Sequence, residues 1–320
     1  MKFRFRACIF LLAVLAAPFA SSQTEKITRI VVPYTAGGGV DSLARALTRS
    51  LQSSLGNTVI VENKPGAGGN IAMDYVAAAP ADGNILVLAT NNLTINPVLY
   101  ESVKFSADKS FSPVSLMAES PVLFVTKVGS SFKDMKDVIA FAKANPGKLS
   151  YASCGNGNIH HFAGELLKSM ARVSIVHIPY RGCSSAVTDV VSGQVDLGVI
   201  SLTAVGPFIS SNRVKGLAVT SGQRSKLLPD MPTVSEATGL RNYALTGWYA
   251  MLAPAKTPRA VVERLNAAIE KALTDKEVMA NLTTAQLEPI GGPPERLAKF
   301  IQEDDARVRA VAKEGGIKGD

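Results

Sequence analysis

The chain alternates short runs rich in β-branched residues with longer stretches that are apolar on one helical face. Strand-like runs cover residues 27–32, 58–61 and 85–88, with helical stretches at residues 41–55 and 71–79 between them. The first of these helices ends at a natural stop, Gly56, and its apolar face consists of Leu43, Ala44, Leu47, Leu51 and Leu55. This alternation predicts an α/β protein with largely parallel sheets.

The same unit repeats in the middle of the chain. Strands are expected at residues 122–128, 149–153, 174–180 and 195–201, and helices at residues 135–144, 160–172 and 185–191. A return segment follows, with a strand-like run at residues 245–254, a helix at 258–273 and a last helix from Pro293 or Pro294 to about residue 313. The 320 residues contain no low-complexity linker. They therefore predict two lobes whose hinge is made of strand crossings.

The first 22 residues have the order of a secretory signal peptide. Lys2, Arg4 and Arg6 precede an apolar run at residues 7–17, and small residues 20–22 allow cleavage before Gln23. The alternative is a membrane anchor, but this run is too short to span about 30 Å of hydrocarbon comfortably. The mature protein is therefore expected to be exported to the periplasm and soluble.

The positive charge of the chain is diffuse. Without the three basic residues of the signal segment, 31 basic and 26 acidic residues remain, a net charge of +5. No run of five like charges occurs, and no basic stretch is interleaved with aromatic residues. The charge pattern therefore argues against nucleic acid as a partner and is compatible with a small anionic ligand.

Five junctions after successive strands are rich in small or polar residues: 33–41, 64–70, 90–94, 153–158 and 179–184. Glycine lets the backbone approach a ligand, and unpaired N–H groups bind carboxylate or phosphate oxygens. Because ligands of open α/β sheets lie beyond the carboxyl ends of strands, these junctions predict one shared binding cleft. Ordinary tight turns are the alternative interpretation of each junction taken singly.

Nucleotide-binding and metal-binding interpretations fail on spacing. Residues 37–39 lack the GK[ST] ending of a P-loop, and Ile71 stands where a dinucleotide fingerprint needs its third glycine. His160 and His161 are adjacent, so they diverge by about 100° on a helix and lack the i,i+4 spacing of a metal pair. We therefore expect neither a cofactor nor a metal.

The enzymatic alternative is an exported α/β enzyme that acts on a small organic acid. It would need a nucleophile and a positioned base, but the chain has no GxSxG elbow and its three histidines have no evident partner. Asp41 begins the first long helix, where a carboxylate can cap N–H groups, hold the loop or bind a ligand ammonium. It would repel a ligand carboxylate that bound it directly.

Two cysteines remain after cleavage, and both follow predicted strands. Cys154 and Cys183 lie at the ends of consecutive strands of a βαβ unit, which are often neighbours about 4.8 Å apart. In an oxidising compartment, a disulfide between the two loops is the favoured interpretation. Two free thiols that fill small positions are the alternative.

Several of these segments together resemble the Bug/TctC family, the periplasmic solute receptors of tripartite tricarboxylate transporters. The resemblance rests on Val32-Pro33-Tyr34-x-Ala36-Gly37-Gly38-x-x-Asp41, Glu62 to Gly69, Ala81-Asp82-Gly83, Ser153-x-Gly155-x-Gly157-x-x-x-His161, Pro179-Tyr180-x-Gly182, Gly193-Gln194-Val195-Asp196, Gly247-Trp248 and Ala253-Pro254-x-x-Thr257-Pro258. These motifs cover nearly the whole mature chain in order. Cys154, Cys183 and Asn158 depart from the small residues or serine usual in the family.

The resemblance implies a two-lobed, type II-like periplasmic-binding-protein fold of the Venus-flytrap kind. Residues 23–121 plus 245–320 would form lobe 1 and residues 122–244 lobe 2, each a mostly parallel sheet flanked by helices. A small organic anion, commonly a carboxylate, would bind between them. The implied partners are the permease subunits of a tripartite transporter, and the receptor itself is expected to be monomeric.

The resemblance also implies which residues bind the ligand. Lobe 1 would contribute Tyr34, Thr35, Ala36, Gly37, Gly38, Asp41 and Asn92. Lobe 2 would contribute Ser153, Cys154, Gly155, Asn156, Gly157, Asn158, His161, Arg181 and Gly182. Arg181 would pair with a second anionic group of the ligand or stay solvated at the loop edge, and Trp248 would line the cleft or pack in the core.

Overall fold

The computed structural model describes residues 26–318, so the predicted signal peptide at residues 1–22 lies outside the described residues. The first part of the chain forms β1 (Ile27–Val32), α1 (Gly39–Leu55), β2 (Thr58–Asn63), α2 (Asn70–Ala77), β3 (Ile85–Thr90), α3 (Asn92–Leu99) and β4 (Phe111–Ser120). The middle forms β5 (Val122–Lys127), α4 (Met135–Ala144), β6 (Leu149–Ser153), α5 (Ile159–Ala171), β7 (Ile175–Pro179), α6 (Cys183–Ser192), β8 (Leu197–Ser201), α7 (Leu202–Ser210), β9 (Val214–Val219) and α8 (Val234–Thr238). The last part forms β10 (Gly247–Pro254), α9 (Arg259–Ala272), α10 (Lys276–Thr284), β11 (Glu288–Pro289) and α11 (Pro294–Gly315).

Within residues 26–318 the strands form two sheets, each flanked by helices. The first sheet has the order β11-β4-β10-β3-β1-β2 and the second the order β7-β6-β8-β5-β9. We refer to the first sheet with its helices as lobe 1 and to the second with its helices as lobe 2. The predicted α/β class with two sheet-centred lobes is confirmed.

The expectation of mostly parallel sheets is wrong, because both sheets are mixed. β1 pairs in parallel with β2 and β3, and β6 pairs in parallel with β7 and β8, as βα units require. β10 runs antiparallel to β3 and β4, and β5 runs antiparallel to β8 and β9. β4, β5 and β10 lie next to the segments where the chain passes from one lobe to the other. No helix returns the chain to the same edge of the sheet there, so these strands pair antiparallel with their neighbours.

The chain crosses between the lobes twice, at two adjacent segments. Pro121 separates β4 from β5, and residues 245–246 lead back into β10. The two crossings pack so closely that a Cβ on Gly247 would lie 3.0 Å from the Ser120 carbonyl oxygen. Asn91 of lobe 1 fixes the return crossing, since its Nδ2 donates to the Thr246 carbonyl and its Oδ1 accepts from Trp248 N. These two crossings form the hinge region.

Each sheet buries apolar residues on both faces, and α11 joins the two lobes. Leu297 and Ile301, in its first half, pack into lobe 1, whereas Val308 and Val311 pack into the core of lobe 2. Between these halves, the buried Asp304 accepts hydrogen bonds from Thr94 Oγ1 at 2.7 Å and Trp248 Nε1 at 3.2 Å. None of the helices in residues 26–318 is both long and apolar enough to cross a membrane.

A pair of glutamates lies at a junction between the lobes. Glu119 of β4 is the register partner of Glu288 of β11, and Glu288 Oε2 accepts from Ser225 Oγ and Lys226 N of lobe 2. Burial, reinforced by the nearby Glu288 carboxylate and opposed by Arg296, raises the pKa of Glu119 to about 7. The folded protein therefore holds a proton on Glu119 that an unfolded chain releases at lower pH.

This pair makes stability depend on pH between about 4.5 and 7. The folded-state pKa of Glu119 is raised, so its favourable contribution exists below the unfolded pKa and disappears as pH rises through about 7. Raising the pH from 5 to 8 should lower the unfolding free energy of the wild type by on the order of 2 kcal/mol more than that of Glu119→Gln. Urea unfolding at each pH measures this difference.

Glu101→Gln, at an exposed glutamate of lobe 1, is the matched control and should follow the wild-type pH dependence. Parallel pH curves for the wild type and Glu119→Gln would contradict the assignment.

Candidate functional site

The carboxyl ends of β1, β3, β6, β7 and β8 lead into α1, α3, α5, α6 and α7. The junctions after β1, β3, β6 and β7 contain four of the five loops that the sequence singled out, and the fifth loop, residues 64–70, follows β2. In lobe 1, residues 35–39 of the first junction are exposed, whereas Tyr34 is partly buried. Gly37 has a φ of 86°, a left-handed conformation that glycine adopts without a Cβ clash. The backbone of this turn is therefore accessible from outside.

The buried side chain of Asp41 holds this first junction through hydrogen bonds. Its side chain is 2% exposed; Oδ2 accepts from Gly37 N and Arg45 Nε, both at 2.9 Å, and Oδ1 accepts from Asn63 Nδ2 at 2.9 Å. Asn63 Nδ2 also donates to the Tyr34 carbonyl oxygen at 3.0 Å. The hydrogen bond from Arg45 is the main cause that lowers the pKa of Asp41 to about 2, against the opposing effect of burial. Asp41 is thus an ionised carboxylate that holds the loop.

A group of hydroxyl and amide side chains lines the inner wall of the same junction. Tyr34 and Thr90 share a hydrogen bond of 2.8 Å, and Tyr249 of β10 is the register partner of Thr90. A Cβ on Gly39 would lie 4.0 Å from the Tyr249 hydroxyl. Burial raises the pKa of Tyr34, and burial raises that of Tyr249 to about 12, so both phenols remain protonated donors. Asn92 donates to the Gly68 carbonyl and ties α3 to the second glycine-rich loop.

Ser153 of lobe 2 is buried and makes internal hydrogen bonds. Its hydroxyl is 0% exposed, donates to the Gly155 carbonyl oxygen at 2.8 Å and lies 2.7 Å from His177 Nε2. These two contacts hold the Ser153 hydroxyl between the Gly155 backbone and the His177 ring. Burial, followed by the charges of His161 and Lys168, lowers the pKa of His177 to about 3. The pair therefore fixes the turn after β6.

A column of stacked rings supports this turn. The His177 ring lies between those of His161 and Tyr151, with centroid distances of 3.9 and 4.8 Å. His161 Nδ1 accepts from Gly157 N at 3.1 Å, and its Nε2 lies 3.8 Å from Glu165 Oε1. His161 is therefore buried beneath the loop and acts on it through the Gly157 backbone.

The start of α5 is closed by Asn158. Its Oδ1 accepts from the backbone N–H groups of His160 and His161, both at 3.1 Å, and so caps the helix. By contrast, α6 begins after Gly182, which has a φ of 117° and provides no side-chain cap. The exposed Arg181 immediately precedes it. Of these two helix starts, the one at α6 retains free backbone donors for a ligand.

Cys154 and Cys183 form a disulfide, with their Cα atoms 4.3 Å apart. Ser153 and Pro179 are register partners at the ends of β6 and β7, and this places the two cysteines on adjacent loops. The bond ties the Gly155–Asn158 turn to the start of α6. His160 lies beside it, and burial lowers the pKa of this imidazole to about 4.

The two lobes touch where these loops meet. A Cβ placed on Gly157 would lie 2.6 Å from Leu99 Cδ1 and 3.9 Å from the Tyr100 hydroxyl, both of lobe 1. The side of the lobe 2 loop is therefore in direct contact with the end of α3. Of the residues predicted from the sequence, Gly157 thus lies at a contact between the lobes.

Several predicted residues have internal roles in the structure. Asp41, Ser153, Asn158 and His161 use the side-chain atoms described above to hold loops, whereas residues 35–38, Asn156 and Arg181 are exposed. Trp248 is 1% exposed and packs edge-on against Phe300, so the core alternative holds and it does not line the cleft. Sequence reasoning missed Asn63, Tyr249 and His177; the position of Asn63 at the end of the strand beside β1 was the available signal.

Comparison with known proteins identifies this arrangement. Residues 43–317 match the family model described as "Tripartite tricarboxylate transporter family receptor". The chain is 41% identical over 284 residues to the "UPF0065 protein in tcbD-tcbE intergenic region" of Pseudomonas sp. strain P51, covering 89% of this chain and 84% of that protein.

Two similar solved structures come from Rhodopseudomonas palustris. Rpa4515 with adipate has a TM-score of 0.75 and 31% identity, covering 92% of this chain and 98% of its own. MatC with bound malate has a TM-score of 0.71 and 30% identity, covering 89% and 98%. The match over residues 43–317, the shared two-lobed fold and these relatives together show that the chain belongs to the TctC family of tripartite tricarboxylate transporter receptors.

Proposed function

We propose that this protein is an extracytoplasmic receptor that captures a small organic anion, a carboxylate, between its lobes and delivers it to the membrane subunits of a tripartite transporter. The observation that carries the proposal is a pair of long helices, α1 in lobe 1 and α6 in lobe 2, which begin at the cleft loops without a side-chain cap. Adipate and malate, named with two relatives, are both dicarboxylates.

The start of α1 offers backbone donors to one end of such a ligand. Gly38 occupies the N-cap position and has no side chain to accept from the first turn. The Asp41 carboxylate is held by Gly37, Arg45 and Asn63, so it does not cap α1. The first N–H groups and the positive end of the helix dipole therefore favour an anion here. The protonated phenols of Tyr34 and Tyr249 can donate from the adjoining wall.

The start of α6 offers the opposing donors. Gly182 leaves the first turn uncapped, and Arg181 adds a guanidinium that is free to form a bidentate pair with a carboxylate. A ligand held by both helix starts contacts both lobes at once. Such contacts stabilise the closed arrangement over an open one. The proposed ligand is therefore a dianion whose two carboxylates are bound by different lobes.

Export and delivery complete the proposal. Residues 1–22 would direct export to the periplasm and be removed, and the mature receptor would act there as a monomer. Docking of the ligand-bound closed form on integral-membrane permease subunits would release the anion for transport. No cofactor takes part in capture or release.

The enzymatic alternative rests on the contact between Ser153 and His177. In a serine hydrolase the imidazole accepts the serine proton, and the serine oxygen reaches the substrate. Here Ser153 is fully buried and its hydroxyl contacts the Gly155 carbonyl and His177 Nε2, so its oxygen is not presented to a substrate. This geometry favours the receptor.

A panel of carboxylates separates the two functions. We expect one or more dicarboxylates to raise the melting temperature of the mature protein with concentration, as binding to the folded state alone requires. Proton NMR of the same samples should show the ligand chemically unchanged after prolonged incubation. Consumption of any panel member would instead support the enzyme, and no stabilisation by any carboxylate would count against the receptor.

Removal of the Asp41 carboxylate should weaken ligand binding without removing a ligand contact. Asp41→Ala leaves Gly37 N and Asn63 Nδ2 without their shared acceptor, which should cost about 1–3 kcal/mol of unfolding free energy. Disorder of the loop should also lower the affinity for the best ligand of the panel by about 10-fold or more. Calorimetric titration and urea unfolding measure the two effects.

Asp41→Asn is the matched comparison, since its amide oxygen can still accept one of the hydrogen bonds. We expect intermediate values of both quantities. An Asp41→Ala variant that binds the ligand as tightly as the wild type would show that the loop does not take part in capture.

Arg181 should distinguish dicarboxylates from monocarboxylates. Arg181→Ala is expected to lower the affinity for a dicarboxylate by about 10- to 100-fold, because one charge-assisted hydrogen bond contributes about 1.5–3 kcal/mol. Monocarboxylate binding at α1 should change by less than about 3-fold, since Arg181 is not used there. Isothermal titration at low and high salt provides both affinities.

Arg213→Ala is the control, because Arg213 is an exposed arginine of lobe 2 at the opposite edge of the sheet, where its carbonyl accepts from Val128 N. Equal losses for Arg181→Ala and Arg213→Ala would point to a diffuse charge effect and against a specific pair.

A further inference from the structure

The side chains of Cys154, His160 and Cys183 form a cluster that the proposed contacts with the organic anion do not use. One ligand atom from each residue lies within 4.8 Å of the other two. Cys154 follows β6, His160 is the second residue of α5, and Cys183 is the first residue of α6. Three separate elements of lobe 2 therefore bring two sulfur atoms and an imidazole together.

The imidazole of His160 has no hydrogen-bonding partner. Both ring nitrogens are buried, and neither is paired in the structure described for residues 26–318. A buried polar group without a partner destabilises the folded protein, so its presence calls for an explanation. His161 and His177 differ, because each has a hydrogen bond through a ring nitrogen. The sulfurs of Cys154 and Cys183 lie within 4.8 Å of a His160 ring nitrogen.

We propose that, once its disulfide is reduced, this cluster is a Cys2His binding site for a thiophilic divalent cation such as Zn²⁺. Two thiolates and one neutral imidazole are a common donor set for Zn²⁺, with a fourth position left to water or another small ligand. The spacing within 4.8 Å is compatible with one shared ion, because two Zn–S bonds of about 2.3 Å at a tetrahedral angle separate the sulfurs by roughly 3.8 Å.

A dithiol can reduce the disulfide between Cys154 and Cys183. The dithiol gives two electrons and two protons, the bond between the Cys154 and Cys183 sulfurs breaks, two thiols form, and the dithiol becomes a disulfide. Zn²⁺ then binds both sulfurs, and the two thiol protons pass to solvent. The His160 nitrogen, which has no competing hydrogen bond, supplies the third bond. Oxidised protein lacks both thiolates and should not bind the ion.

The test uses Co²⁺ and Zn²⁺ on the mature protein, with no carboxylate present. The protein is reduced with a phosphine, desalted anaerobically and titrated with Co²⁺ while thiolate-to-cobalt absorption is recorded. We expect one equivalent to bind the reduced protein, Zn²⁺ to displace it, and the oxidised protein to show no band. His160→Gln should lower the Co²⁺ affinity by roughly 10- to 100-fold or more. Loss of a residue that only supports a metal ligand already costs that much, and His160 is proposed to be a ligand itself.

Two further variants serve as controls. Asp230→Asn removes an exposed carboxylate of lobe 2 that holds none of the cluster loops and should keep the Co²⁺ band, whereas the double variant Cys154→Ser with Cys183→Ser should lose it. Circular dichroism follows folding throughout, and recovery of structure on adding Zn²⁺ to an unfolded reduced protein would also support the site.

The proposal is overturned if folded, reduced protein gives no cobalt–thiolate band, if His160→Gln binds as tightly as the wild type, or if reduced protein stays unfolded with Zn²⁺. The metal titrations contain no organic anion, so a negative result there does not bear on the receptor function. In the same way, a carboxylate panel without binding would not bear on the metal site.

Discussion

The close passage of two chain crossings determines how this protein is built. The crossing from β4 to β5 and the return into β10 lie side by side, and Gly247 has no room for a larger side chain next to Ser120. Asn91 holds the return crossing through both ends of its amide. The strands beside the crossings enter both sheets antiparallel, so the mixed character of the sheets arises where the chain passes between the lobes.

Polar side chains near the cleft are largely used to hold loops. The carboxylate of Asp41, the hydroxyl of Ser153 and the amide oxygen of Asn158 each accept or donate within their own turn. Such preorganisation leaves backbone N–H groups and a few exposed side chains to meet a ligand, and it lowers the ordering cost on binding. In the proposed function, such a cleft would recognise the charge of an anion largely through backbone N–H groups.

The sequence alone predicts local features well where a single element carries the signal. The first helix was expected to end at Gly56, which adopts the left-handed conformation there, and the adjacency of β6 and β7 indicated that Cys154 and Cys183 could bond. The sequence did not predict contacts between residues that are distant in the chain. The hydrogen bond from Asn63 to Asp41 depends on the register of β1 with β2, and the burial of Trp248 depends on Asp304, 56 residues later. The antiparallel strands at the crossings were missed because periodicity gives no strand direction.

The last helix connects the lobes at a third place. α11, a helix of 22 residues and about 33 Å long, packs its first half into lobe 1 and its last turns against the core of lobe 2. Two bodies joined by two adjacent crossings and by this helix cannot tilt freely in every direction. If the packing of α11 persists, the lobes can rotate only about a line through the crossings and the end of this helix. Opening would then have a single degree of freedom, with the path as well as the end states set by the fold.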